Sequence, residues 1–263
     1  MMIEMITASP FLMGAATIAV MLTCVWIASL VLRDAGIIDM FWGLGYSLVA
    51  LTTLLTSENL SPLGIATGLL VMLWGVRLFT HLLIRWRKEA EEDYRYQAMR
   101  KKHGDQFWWR SVYTVFFFQG LLMWLVSVPF MAAFYFGGPA ALPVLTLVFL
   151  AIALGGLYME TMADVQLTKF RATAKKGALL DSGWWKYTRH PNYFGDALFW
   201  WGIYAAVVAA TPEAIWTIFA PIIMNYLLVK VSGADLLEYS LKKKPGYTEY
   251  MQRTNRFVPK LFG

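Results

Sequence analysis

Asn192 and Asp196 stand four residues apart, directly behind the string Arg189, His190, Pro191. That spacing puts both side chains on one face of a helix. Proline is favoured in the first turn of a helix, where its missing N–H is no loss. A helix is therefore expected to start near Pro191, with Arg189 and His190 at its mouth. A positive helix end beside an arginine suits a phosphate. The run that follows, ALFWWGIYAAVVAA, is strongly apolar, and an acid just inside such a run is expensive unless it is paired or faces a polar cavity. An ordinary membrane-surface loop would explain Arg189 and the neighbouring tryptophans as interface anchors, but not Asn192 and Asp196.

Polar positions of the same kind recur along the chain. Asp39 opens one apolar run. Arg77, His81 and Arg85 are spaced by four, as are Glu160, Asp164 and Thr168, with Arg171 three further on. Gln119 lies inside another run, and Glu238 lies beyond the last. Facing lipid, each stripe would cost on the order of several kcal/mol. Interhelical hydrogen bonds and snorkelling account for one or two such residues, not for five helices. The expectation is one wet cavity that these residues line together. Arg77, Arg85, Arg171 and Arg189 suit phosphates through paired hydrogen bonds. Asp164 and Asp196, as acceptors only, suit ribose hydroxyls or a carboxamide. Tyr187, Tyr193 and the tryptophans suit flat rings. This inventory fits a large, anionic, partly aromatic cofactor, a nicotinamide dinucleotide and S-adenosylmethionine alike. No GxGxxG or Walker motif is present, so no soluble nucleotide fold is expected. His81, His103 and His190 lack metal-ligand spacing. Cys24 is the only cysteine, which excludes an internal disulfide and a cysteine-based zinc site.

The elements that must position these groups are membrane spans. Of 263 residues, 58% are hydrophobic and only 15% charged, against roughly half and a quarter in soluble domains. Apolar runs long enough to cross a bilayer are read at 11–32, 37–56, 63–84, 111–136, 144–163, 192–210 and 214–231. The net charge of +6 is then not a nucleic-acid signal. Of the 23 Lys and Arg, 21 fall in 85–110, 164–192 and 230–263, and none in the turns at 57–62, 137–143 and 211–213. Seven spans put every basic segment on one side, which the positive-inside rule makes cytoplasmic. The fold expected is all-α, a polytopic bundle of seven transmembrane helices with its N-terminus outside and its C-terminus cytoplasmic.

The block LLDSGWWKYTRHPNYFGD, 179–196, resembles the signature of membrane sterol reductases that saturate ring double bonds, and closely resembles the related DUF1295 and steroid 5α-reductase family. DAGIIDMFWGLGY at 34–46, EDYRYQAMR at 92–100 and GYTEYMQRTNRFVP at 246–259 agree with the DUF1295 pattern. The resemblance covers most of the chain. It implies one integral membrane reductase domain over 1–263, with the cofactor-binding half about 111–263. The implied cofactor is NADPH, and the implied reaction saturates a carbon–carbon double bond conjugated to a carbonyl, as in 3-oxo-Δ4 steroids or another lipid enone.

Carried over residue by residue, the family's cofactor positions fall on Gln119, Asp164, Arg171, Tyr187, Asn192 and Asp196, with Arg85 and Glu238 as looser matches. Arg77, Arg189, His190 and Tyr193 complete the expected cofactor set. The family's catalytic acid falls on Asp39, but its tyrosine falls on Trp74, which donates no catalytic proton. Tyr46 or Tyr113 is the expected substitute. Asp39, kept neutral by burial, would donate to a carbonyl oxygen, and Trp42 would pack on the substrate. Isoprenylcysteine- and phospholipid-type methyltransferases form a rival class, because they too carry an RHPxYxG block, a C-terminal Glu and a GxxYxxY pattern. A lipid-binding scaffold that has lost activity is a third reading. The expected partners are membrane lipid and a lipophilic substrate entering from the bilayer, with no nucleic acid and no metal. The expected location is a bacterial inner membrane, with the site facing the cytoplasm.

Overall fold

The structure is a computed structural model that describes residues 9–57, 60–88, 91–175, 177–231 and 234–260. Every candidate residue named above lies within them. The described chain is helical, and seven segments are long and apolar enough to cross a membrane: Pro10–Leu32, Ala35–Thr56, Pro62–Trp86, Tyr94–Phe136, Val144–Thr173, Pro191–Ala210 and Pro212–Val231. The chain divides into two compact units, one running up to Leu142 with Ala210–Thr217 added, the other Pro143–Ala209 with the residues from Ile218 onward.

In the first unit, α1 (Pro10–Leu32) and α3 (Pro62–Trp86) start with the same device. A serine, Ser9 or Ser61, caps the helix by accepting a backbone N–H, and a proline fills the first turn. Asp34 caps the short 3-10 turn Ala35–Ile37, accepting from Gly36 N at 2.8 Å, and that turn leads into α2 (Ile38–Thr56). Helix α2 packs against α1 and α3. Gly43 of α2 and Gly75 of α3 meet backbone to backbone: a Cβ on either would collide with the other's carbonyl oxygen. Glycine is therefore required at that crossing. The charged stretch after α3 is not merely a loop. Asp93 caps α4 (Tyr94–His103), and the chain continues through α5 (Phe107–Ser111) and a π-helical turn, Val112–Phe117, into α6 (Phe118–Phe136). Composition hid α4 because its ten residues are mostly polar and hold no apolar run.

In the second unit, α7 (Val144–Thr173) runs ten residues past the predicted end of its span. At 1.5 Å per residue it is roughly 45 Å long, more than the ~30 Å hydrocarbon layer. The polar residues after Ala163 mark an exit from the apolar zone, not from the helix, and no Gly or Pro interrupts the chain until Gly177. Helix α8 (Pro191–Ala210) crosses α7 at Gly156 and Gly195, where again a Cβ would strike the facing backbone. The last span, whose residues up to Thr217 belong to the first unit, is irregular, with a 3-10 start at Pro212–Ile218, then α9 (Phe219–Tyr226) and a π-helical end at Leu227–Val231. Two short helices, α10 (Ala234–Leu241) and α11 (Tyr247–Arg253), follow.

Candidate functional site

Both units hold polar clusters. In the first, one is built on Asp39, in the opening turn of α2. Its Oδ2 accepts from Arg95 Nη2 at 2.5 Å and its Oδ1 from the Tyr96 hydroxyl at 2.6 Å. Both donors come from the start of α4, where the Asp93 cap accepts from the Arg95 backbone N–H at 2.9 Å and from its Nε at 2.8 Å. Burial pulls the Asp93 carboxyl upward, but these Arg95 hydrogen bonds outweigh it and hold the group below its ordinary value. On the other side Gln119, in the first turn of α6, donates from Nε2 to the Tyr96 oxygen at 3.1 Å and accepts from Trp42 Nε1 at 2.6 Å.

Two donors, one of them cationic, face the two Asp39 oxygens. The hydroxyl on this acid is Tyr96. Tyr46 is fully buried and packs edge-on against Trp74, with ring centroids 5.5 Å apart. Tyr113 sits on the π-helical turn, exposed and against Trp109. Tyr96 and Arg95 escaped the sequence reading, although both lie in the EDYRYQAMR block. Their distance from any apolar run disguised them.

Trp42 and Gln119 were expected on substrate and cofactor respectively, and here they bond to each other. Arg77, half-buried, and Arg85, exposed, lie two turns apart on α3. A largely apolar groove of about 680 Å³ between α1 and α2 is lined by Met13, Thr17, Cys24, Phe41 and Leu48. At 100° per residue those α2 positions fall on the side opposite Asp39, so the groove is not part of the cluster.

In the second unit, α7 supplies Asp164 and α8 supplies Asn192 and Asp196. Asn192 Nδ2 donates to Asp164 Oδ1 at 3.0 Å. Its Oδ1 is buried and accepts no hydrogen bond from the described residues. A buried, unsatisfied amide oxygen beside a carboxylate is a ready acceptor for an N–H donor such as a carboxamide, and in this respect the donor set fits a nicotinamide cofactor. Asp164 and Asp196 are buried, while Arg171 is exposed two turns along α7. Tyr193 stacks on His190, with centroids 5.6 Å apart and planes 9° from parallel. Tyr187 is exposed, with Lys186 Nζ 6.0 Å from its ring centroid.

Arg189 is placed differently from an open phosphate ligand. It is buried, its Nε donates to Glu238 Oε1 at 2.8 Å, and its Nη1 donates to the Thr254 carbonyl at 2.8 Å. His190 Nε2 lies 3.3 Å from the same Glu238 oxygen. Burial raises the Glu238 carboxyl, but the His190 and Arg189 hydrogen bonds prevail and bring it down to about 2. Burial pushes the nearby Tyr247 phenol up to about 12, with the Glu238 carboxylate adding to the effect. The tail thus grips the loop ahead of α8. The Arg189 N–H donates to the Asn255 carbonyl at 2.9 Å, the Thr188 hydroxyl to the Phe257 carbonyl at 2.8 Å, and the Tyr250 hydroxyl to the Trp185 carbonyl at 2.5 Å. Among the described residues no three His, Cys, Asp or Glu side chains group as metal ligands.

Fold and clusters together define an integral, multi-pass membrane protein that carries buried polar groups within its helices. The chain belongs to the family described as "Protein of unknown function (DUF1295)", whose pattern matches residues 25–254. It is similar to an uncharacterized protein of Schizosaccharomyces pombe, 24% identical over 249 residues, 85% of this chain and 68% of the yeast protein. No solved structure matches.

Proposed function

We propose that this chain is an NADPH-dependent reductase that saturates a carbon–carbon double bond conjugated to a carbonyl in a lipophilic substrate. The observation that supports this most is the Tyr96–Asp39 contact, a phenol held on a carboxylate in a helical membrane protein. When bound, the cofactor would supply a hydride to the β-carbon. The protein's task is then to accommodate the charge that builds on the carbonyl oxygen and to deliver one proton. The Tyr96 hydroxyl turns from Asp39 to that oxygen, gives up its proton and regains one from water. Gln119 keeps its N–H on the phenol oxygen while the proton is away, and Arg95 stays hydrogen-bonded to Asp39.

In the second unit, Asp164, Asn192 and Asp196 would hold the carboxamide and ribose, Arg171 a phosphate, and Tyr187 and Tyr193 the rings. Arg189, His190 and Glu238 hold the mouth of α8 in place. The clustering of the basic segments supports reading their side as cytoplasmic.

A second reading, methyl transfer from S-adenosylmethionine, draws on the Glu238 contact with Arg189 and His190. Titration of the purified protein with each cofactor, followed by a panel of lipid enones including a 3-oxo-Δ4 steroid, separates the two. NADPH binding with enone-dependent NADPH oxidation is the expected result. Binding of S-adenosylmethionine with none of NADPH overturns it.

A further inference from the structure

We infer that Trp42 and Gln119 are positioning residues that set the direction of a hydrogen-bonded chain and thereby hold the Tyr96 proton on Asp39. The inference rests on the reading of Tyr96 as the proton donor and goes beyond it. It follows from which groups can only donate. An indole N–H has no acceptor capacity. The Trp42 contact at 2.6 Å therefore obliges Gln119 to present its carbonyl oxygen there. The amide NH₂ must then face Tyr96, at 3.1 Å. The phenol oxygen receives that N–H, so its single proton is left for Asp39, at 2.6 Å. At the far end Arg95, which has only donors, meets the other Asp39 oxygen.

Both ends of the chain are thus donor-only groups, and both point toward the Asp39 carboxyl. With that carboxyl ionised, a single placement of hydrogens satisfies every contact. Without the indole N–H, the Gln119 amide can turn over and offer its carbonyl to Tyr96. That carbonyl competes for the phenol proton, and its dipole opposes the charge left on the phenol oxygen once the proton has gone. A glutamate at 119 does the same permanently, since a carboxylate still accepts from Trp42 but cannot donate to Tyr96.

The test measures kcat, KM and the NADPH Kd in Trp42→Phe, Gln119→Leu, Gln119→Glu and the Trp42→Phe/Gln119→Leu pair. Loss of an oriented donor of this kind typically lowers kcat by roughly 10²-fold. The single variants are expected to lose kcat on that scale, with KM and the NADPH Kd within about twofold of the parent protein. The double variant is expected to be no slower than Gln119→Leu alone, because residues that act as a unit are not additive. Multiplying losses, an unchanged kcat in Trp42→Phe, or a tenfold weaker NADPH Kd in Gln119→Leu would each overturn the assignment.

A second readout needs no turnover. The Trp42 indole ¹⁵N–¹H resonance, assigned by its loss in Trp42→Phe, is expected to move upfield and exchange faster in Gln119→Leu, and to stay downfield in Gln119→Glu. An indole resonance indifferent to Gln119→Leu sinks the chain itself. Failure of the parent protein to oxidise NADPH with any enone would instead count against the reductase reading.

Discussion

Arg189 and Glu238 form a buried ion pair, with Nε and Oε1 2.8 Å apart and less than a tenth of either side chain exposed. Removing one partner leaves the other charged and buried. Glu238→Ala is therefore expected to destabilise the protein by about 3–5 kcal/mol. Thermal unfolding in detergent checks this, and a midpoint equal to the parent's would show that the pair does not hold the tail.

The same carboxylate gives the protein an acid limb. Its native value of about 2 lies below the ordinary 4.5. A group lowered in the folded state stabilises it fully above its unfolded value, and that contribution fades as the native carboxylate protonates. Stability is expected to fall between about pH 4.5 and pH 2. Glu238→Gln should flatten that limb, and an unfolding-versus-pH series on both proteins measures the difference.

If Tyr96 delivers the proton, Tyr96→Phe should lower kcat by roughly 10²–10⁴-fold and leave the NADPH Kd unchanged. Tyr46→Phe and Tyr113→Phe should stay within a few-fold of the parent. A large loss in Tyr46→Phe instead would return the donor role to the tyrosine packed on Trp74.

For the second unit, Asn192→Leu removes both the donor to Asp164 and the orphaned amide oxygen. One to three kcal/mol of lost or unsatisfied hydrogen bonding corresponds to an NADPH Kd weaker by about 5- to 150-fold. Fluorescence titration reads this directly, and an unmoved Kd would take Asn192 out of the cofactor site.

The helix crossings make a prediction about folding alone. Gly75→Val drives a side chain into the Gly43 carbonyl, and backbone cannot swing aside as a side chain end can. A loss of about 1–3 kcal/mol or more is expected. Gly155, whose Cβ direction meets nothing within 4 Å, should accept alanine without loss. Equal stability of the two variants would refute close backbone contact at the Gly43–Gly75 crossing.

Much of this protein was written locally along the chain. A run of about 20 apolar residues carries its own membrane signal, so seven spans were readable without knowing how any of them pack. Pro191 after Arg189 and His190 announced where α8 begins, and Asn192 and Asp196 shared a face by spacing alone. Tertiary structure decided the partnerships. Tyr96 meets Asp39 across 57 residues and Arg189 meets Glu238 across 49. Those pairings depend on where folded elements pack against one another, which no local pattern encodes. That is why the sequence pointed to Tyr46 or Tyr113 as the donor and to Arg189 as a phosphate ligand. Folding instead brought a phenol from a polar ten-residue helix onto Asp39, and closed a C-terminal carboxylate over Arg189.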